Sequence, residues 1–296
     1  MNNSPLHNLA GNTWLLPGPT NIGIYSSGDF AYLIDSGNDK DAGRKILKLL
    51  VEKGWELKAI INTHSNADHI GANNYLQGVT GCEIWATAGE APFIERPALE
   101  ASLLWGGFPF KELRSKFFEA KPSKVTRLIN PSENAEGFAF IPLPGHFIDM
   151  AGILTKDKVA YLGDSLFGEH ILEKYKIPFI YDVRTFKSSL ASLLAIEADW
   201  FVPSHGDARE TINDLVELNA AKVEKIEADL LSLLRKPQRF EDLLAELSSL
   251  YGIRLDFGQY ALDGSTVRSF LSYLKDEGKA DYRFEDNKML WTTRSS

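Results

Sequence analysis

The stretch Ile60-Ile61-Asn62-Thr63-His64-Ser65-Asn66-Ala67-Asp68-His69-Ile70-Gly71 decides how this chain is read. Lys58 to Asn62 is short and apolar, which predicts a strand. From Asn62 onward the sequence turns polar and places two imidazoles, a carboxylate and a carboxamide between His64 and His69. In layered α/β folds the reactive groups gather in loops outside the carboxyl ends of strands. Imidazole and carboxylate are ligands for Zn²⁺, Fe²⁺ or Mn²⁺, and a glycine beside them allows tight turns and close backbone approach.

The same context recurs further along. The chain has six histidines: His7, His64, His69, His146, His170 and His205. Pro144-Gly145-His146 ends the predicted strand Phe138–Leu143. Tyr161-Leu162-Gly163-Asp164 ends another, and Val202-Pro203-Ser204-His205-Gly206 a third. Any one of these, taken alone, reads most simply as a hydrogen-bonded loop residue, and Asp164 alone as a turn cap. The set argues for a metal site, because four of the six histidines, with Asp68 and Asp164, fall in loops at strand ends.

Around these loops, short apolar runs alternate with helical stretches. Phe30–Asp35, Cys82–Ala86, Lys124–Ile129, Gly152–Thr155, Val159–Leu162 and Trp200–Val202 read as further strands. Asp39–Lys53 and Phe186–Glu197 read as amphipathic helices. This interleaving predicts a layered α+β domain over 1–210. The texture changes after His205. Ile212–Arg235 is nearly continuous helix until Pro237 breaks it. Phe240–Tyr251 and Thr266–Lys275 are shorter helices, and Lys279–Thr292 alternates like a hairpin turning at Asp286-Asn287. Residues 211–296 therefore form a connecting helix followed by a winged-helix-like outline.

Composition narrows the function classes. The chain has 296 residues, 44% hydrophobic and 24% charged, close to the globular average. No run is apolar enough for a membrane span, and Met1–Thr20 lacks the features of a secretory signal. One cysteine, Cys82, cannot form an intramolecular disulfide or hold an iron–sulfur cluster. A cytoplasmic protein acting away from membranes is expected. The net charge of −8 opposes non-specific binding to nucleic acid. From Pro237 to Ser296 there are eight Lys/Arg against ten Asp/Glu, which is not the basic face of a groove reader.

The segment Thr63–Gly71 resembles the H-x-H-x-D-H-x-G signature of the metallo-β-lactamase superfamily. His146, Asp164 and His205 match that family's remaining ligand positions in order and approximate spacing, and Leu33-Ile34-Asp35-Ser36-Gly37 resembles its first motif, whose Asp is structural. The resemblance covers about residues 12–210 and implies a four-layer αββα sandwich with a metal site at one edge. The tail resembles, more loosely, the winged-helix extension of the subgroup that includes the human lactamase-like endoribonuclease. One position departs from the signature: Asn66 stands where the family has its second histidine. Carried over, one metal takes His64, Asn66 and His146, the other takes Asp68, His69 and His205, and Asp164 bridges them. An amide oxygen is a weaker donor than imidazole, so one strong and one weak site are expected. Zn²⁺ is the expected metal, with Fe²⁺ or Mn²⁺ as the alternatives. A bridging Asp rather than a thiolate resembles the thioesterase, lactonase and phosphodiesterase members.

The chemistry implied is hydrolysis of a small ester, thioester or lactone by a metal-bound hydroxide, with Asp68 orienting it and taking its proton. A nuclease is the rival that the subgroup resemblance allows and the charge disfavours. A non-hydrolytic iron protein, redox-active or oxygen-binding, is the rival that Asn66 keeps open. An aromatic insertion before His146 carries Phe93, Trp105, Phe108, Phe110, Phe117 and Phe118. It reads either as packing on the core or as a cap that shapes an apolar pocket or a homodimer face. Trp105 and Phe108, with Tyr175 and Phe179 beyond Asp164, are the candidate substrate-binding residues. His170 follows Asp164 closely enough to be a spare ligand, and Cys82 reads as a buried small hydrophobe.

Overall fold

Two β-sheets face each other in the computed structural model, which describes residues 6–294. The first sheet runs in chain order through β1 (His7–Ala10), β2 (Thr13–Leu16), β3 (Ile22–Ser27), β4 (Phe30–Ile34), β5 (Glu56–Ile61), β6 (Glu83–Thr87) and β7 (Arg127–Ile129). Its first four strands pair antiparallel and the rest parallel. The second sheet contains β8 (Asn134–Ala135), β9 (Phe138–Pro142), β10 (Ala151–Thr155), β11 (Val159–Gly163) and β12 (Trp200–Pro203). β8 to β11 are antiparallel neighbours, and β12 adds parallel to β11 at the edge.

Strand periodicity explains the layering. Successive side chains point to opposite faces of a strand. On β4, Tyr32 and Ile34 enter the core between the sheets, while Ala31 and Leu33 join an outer core. β5 repeats this with Ala59 and Ile61 inward, Leu57 and Ile60 outward. On β11, Val159 and Tyr161 face the inter-sheet core, while Ala160 and Leu162 face the helices beyond it. Strands buried on both faces require a helical layer on each outer side.

On the first sheet that layer is α1 (Lys40–Lys53), α2 (Ala67–Ile70) and α3 (Asn73–Thr80). Asp39 caps α1 by accepting from the Asp41 and Ala42 backbone N–H groups. Between β6 and β7 the chain forms α4 (Ala91–Glu95), α5 (Ala98–Trp105) and a 3₁₀ turn at Lys111–Arg114. Over the second sheet lie α6 (Glu169–Tyr175), α7 (Val183–Ser192) and the 21-residue α8 (Asn213–Leu233), followed by α9 (Phe240–Leu250), α10 (Phe257–Asp276) and the hairpin β13 (Ala280–Glu285)–β14 (Lys288–Thr293). One continuous core joins Leu162 and Phe186 to Val216 and Ile226, and on to Leu244, Phe270 and Leu274.

The hairpin turns where the sequence places it. Asp286 and Asn287 both have positive φ, 49° and 61°, as a two-residue turn with right-handed twist requires. The last helix differs from expectation: it starts at Phe257, not Thr266. Asp256 caps it through the Gln259 N–H, and packing of its buried faces on α5 and α9 carries Gly258, Asp263 and Gly264 past their poor intrinsic helicity, Gly264 lying beside Phe240 and Leu244 of α9. The antiparallel strands β1 to β3 precede the first strand the periodicity predicts. No helix among the described residues is long and apolar enough to cross a membrane.

Candidate metal centre

The site is assembled from four loops, each leaving the carboxyl end of a strand. After β5 come His64 and Asn66, with Asp68 and His69 on the one-turn helix α2. His146 follows β9, Asp164 directly follows β11, and His205 follows β12. Two glycines make the approach possible. At Gly71 a Cβ would run into the Asn38 backbone carbonyl, and at Gly145 (φ 122°) into the backbone of Phe186.

Six of these side chains form two groups whose ligand atoms lie within 4.8 Å of one another: His64, His146 and Asp164 in one, Asp68, His69 and His205 in the other. Asp164 stands between them. Its Oδ2 is 3.6 Å from His146 Nε2 and 3.4 Å from His205 Nε2, and its Oδ1 is 3.4 Å from His69 Nε2. Asp68 Oδ2 lies 3.2 Å from His205 Nε2. Asn66 Oδ1 lies 3.0 Å from His146 Nε2. Five of these seven residues are closed off from solvent, whereas the side chains of Asp68 and His205 keep 33% and 16% exposure. The site opens on their side.

The outward nitrogen of each imidazole is committed. Nδ1 of His146 meets the Phe179 carbonyl at 2.9 Å, and Nδ1 of His205 meets the Pro19 carbonyl at 2.7 Å. Nδ1 of His69 meets Asp35 Oδ2 at 2.8 Å. The Thr63 hydroxyl donates to Asp35 Oδ2 at 2.7 Å, which leaves its oxygen to accept from His64 Nδ1 at 3.0 Å. With neutral rings, every Nδ1 carries the proton and every Nε2 turns a lone pair inward. His64 Nε2, His69 Nε2 and Asp164 Oδ1 are buried without a hydrogen-bond partner. Orphaned buried acceptors are costly, and a divalent cation satisfies them. The donor set thus fits two ions of the Zn²⁺, Fe²⁺ or Mn²⁺ type.

Electrostatics agree. Burial, with His69 nearby, holds His64 well below the usual imidazole range, and burial also lowers His146. Burial works against protonation of His69, yet Asp68, Asp164 and Asp35 push it up to about 9. Asp164 resists its own burial and is held far down by His205 and His69. Nε2 of His69 and of His205 is thus where a bound cation would compete with a proton.

The candidate aromatics are dispersed. Phe179 packs edge-on to His146 with ring centroids 5.4 Å apart. Trp105 packs on Phe110, which packs on Phe257 of α10. Phe108 is exposed under Arg114, and Tyr175 is exposed under Lys174. Phe93 packs on Phe147. His170 is exposed on α6, outside both ligand groups, and His7 is exposed on β1. Cys82 is buried in the outer core of the first sheet. Three residues escape sequence reading. Thr20 donates to Asp68 Oδ2 at 2.9 Å. Glu90 ties the Ser65 and Asp149 backbones together. Glu100 accepts from Asn66 Nδ2 at 2.8 Å.

A fold of two sheets between helices, with this His/Asp set at its edge, defines a metal-binding class of α/β sandwich. The family profile of the metallo-beta-lactamase superfamily matches residues 15–223, and the chain belongs to that superfamily. Among curated proteins it is similar to a hydroxyacylglutathione hydrolase of Methylococcus capsulatus, 36% identical over 123 residues, 41% of this chain and 39% of that protein. It is also similar to the one of Rhodospirillum rubrum, 37% identical over 65 residues, 21% of this chain and 25% of that protein. The chain thus spans well under half the length of these two relatives. Among solved structures, a metallo-beta-lactamase family protein of Thermus thermophilus superposes with a TM-score of 0.76 at 20% identity, over 96% of this chain and 99% of the other. A beta-lactamase domain protein of Burkholderia ambifaria gives 0.74 at 16% identity, over 98% and 94%. These two superpositions establish the fold.

Proposed function

We propose that the chain is a metal-dependent hydrolase of a small thioester, with ester and lactone cleavage as neighbouring activities. The observation that carries this reading is the set of buried, partnerless nitrogen and oxygen lone pairs converging from four loops. The similarity to hydroxyacylglutathione hydrolases supports a thioester within the ester class. His64, Asn66 and His146 would hold one ion, Asp68, His69 and His205 the other, and Asp164 both. Bound divalent ions supply an acidified water and a polarised acyl carbonyl. Asp68, on the open side and steadied by Thr20, is the group placed to take a proton from the attacking water. Phe179 offers an apolar wall beside His146.

The reading includes Zn²⁺ as the metal and a cytoplasmic setting, supported by a single, buried cysteine. Residues 237–296, eight basic against ten acidic, serve as a winged-helix-like packing unit rather than a nucleic-acid reader. The test is elemental analysis of protein purified without added metal, followed by assays on a hydroxyacylglutathione thioester, a p-nitrophenyl ester, a lactone and bis-p-nitrophenyl phosphate. Thioester turnover that vanishes on chelation and returns with metal is expected. A preference for the phosphodiester overturns the thioester assignment, and absence of bound metal overturns the whole reading.

A further inference from the structure

Glu100 is a buried carboxyl in the first turn of α5, inside the insertion, 34 residues from its partner Asn66. One donor meets it squarely: the Asn66 amide NH₂, 2.8 Å from Oε1. Burial, with Asp68 and Glu90 adding repulsion, holds this carboxyl well above the usual carboxylate range, and the Asn66 amide offsets only part of that. We propose that Glu100 is a positioning residue that turns the carbonyl end of Asn66 inward, making Asn66 an oxygen donor where the family signature has imidazole. The proposal rests on the metal-centre reading above.

A carboxamide has two ends of nearly equal shape and opposite hydrogen-bonding sense. At Asn66 one end meets Glu100 and the other meets His146 Nε2 at 3.0 Å. Because Nδ1 of His146 gives its proton to the Phe179 carbonyl, Nε2 is an acceptor. Left to itself, the amide would point NH₂ at that acceptor and close a hydrogen bond, withdrawing both atoms from any ion. Glu100 opposes this, because its Oε1 accepts the amide NH₂ at 2.8 Å and would face the amide oxygen if the group turned over. The amide is therefore held with Oδ1 facing Nε2. Two lone pairs 3.0 Å apart repel each other unless a cation lies within reach of both. His64 Nε2, buried and partnerless, and Asp164 Oδ2 complete a donor set of two nitrogens and two oxygens. That set is harder than three imidazoles and one carboxylate, and it is tuned from outside by one glutamate on the insertion.

The test is calorimetric and competitive titration of the metal-free full chain with Zn²⁺, for wild type, Glu100→Met, Glu100→Gln, Asn66→Ala and the Asn66→Ala/Glu100→Met double variant. The wild type should bind two ions. Glu100→Met should weaken one of them 10–100-fold, the range for residues that orient ligands, and leave the other within threefold. Glu100→Gln, which keeps a carbonyl acceptor, should recover most of the loss. In the Asn66→Ala background, Glu100→Met should change nothing further. Two ions held as tightly by Glu100→Met as by wild type overturn the proposal, as does the same loss in both backgrounds. A wild type that binds no ion sinks the metal-centre reading itself. NMR of the unsubstituted protein does not depend on any variant folding: the Asn66 NH₂ protons should show contacts to Glu100, and contacts to the His146 ring instead overturn the proposal.

Discussion

The carboxylate of Asp35 lies 2.8 Å from Nδ1 of His69 and takes the Thr63 hydroxyl proton on the same oxygen. Thr63 in turn faces His64 Nδ1, so one buried carboxylate orients an imidazole in each ligand group. Asp35 holds a left-handed backbone conformation, φ 61°, at the end of β4 to do so. Asp35→Asn should lower the affinity of both ions, each by 10–100-fold. Asn can still receive one of these protons but brings an NH₂ group against donors. Competition with a chromogenic chelator measures both constants, and an effect confined to one ion contradicts the shared-orienter role.

That Asp35 and the strand-end histidines could be read in the sequence has a local cause. Each ligand follows an apolar run directly, so strand, turn and ligand lie within a few residues. Thr20 and Glu100 could not be read this way. Their partners Asp68 and Asn66 lie 48 and 34 residues away, and nothing in the residues beside Thr20 or Glu100 marks either as a partner of those two side chains. β3 was hidden for a packing reason. Gly23, which weakens a strand signal, is there because a Cβ would strike the Tyr161 ring across the sandwich. The start of α10 was hidden by two glycines and a buried acid that only tertiary contacts with α5 and α9 rationalise.

Metal should be retained through the six clustered ligands and no other histidine. Asp68→Ala and His205→Ala should each strip at least one equivalent, since both belong to one three-residue group. His170→Ala, on the exposed face of α6, should keep full stoichiometry. Chelation of the wild type should also lower Tm, because ligands that bind only the folded state stabilise it by mass action. Inductively coupled plasma analysis with thermal melts checks these outcomes together. Loss of metal in His170→Ala would show that the geometry misplaces it.

Asp263 predicts a pH dependence of stability far from the metal loops. It is buried on α10, with Gln259 Nε2 on Oδ1 and no partner on Oδ2. Burial, with Asp256 adding repulsion, pushes it up to about 7. The folded state therefore keeps its proton above the pH at which the unfolded chain loses it. The contribution is fully present below about pH 4, falls as pH rises, and is lost beyond about 7, with a ceiling of about 4 kcal/mol from the shift. Asp263→Asn mimics the neutral acid and should be the more stable protein at pH 8, with the difference shrinking towards pH 4. Denaturant melts across that range measure the slope. Parallel curves for variant and wild type remove Asp263 as its source.

The last prediction concerns how α10 reaches the metal centre. Ile180 donates its N–H to Thr266 Oγ1 at 3.3 Å, and Ser269 Oγ donates to the Tyr181 carbonyl at 2.7 Å. The other side of this segment is tied to the ligand loop. Tyr181 N–H reaches the carbonyls of Gly145 and His146, and the Phe179 carbonyl receives His146 Nδ1. Two hydroxyls of the C-terminal helix thus clamp the strip that orients the His146 imidazole. Thr266→Val leaves the buried Ile180 N–H without an acceptor, a cost of about 1–3 kcal/mol. Combined with Ser269→Ala, it should also weaken the ion held by His146 severalfold while sparing the ion held by Asp68, His69 and His205. Glu227→Gln is the control, since it disturbs the Lys187 and Lys279 pairs in the same helical layer without touching this strip. It should lower Tm and leave both metal constants unchanged. If the double variant and the control lose stability alike and neither changes metal affinity, α10 supports the fold but does not position His146.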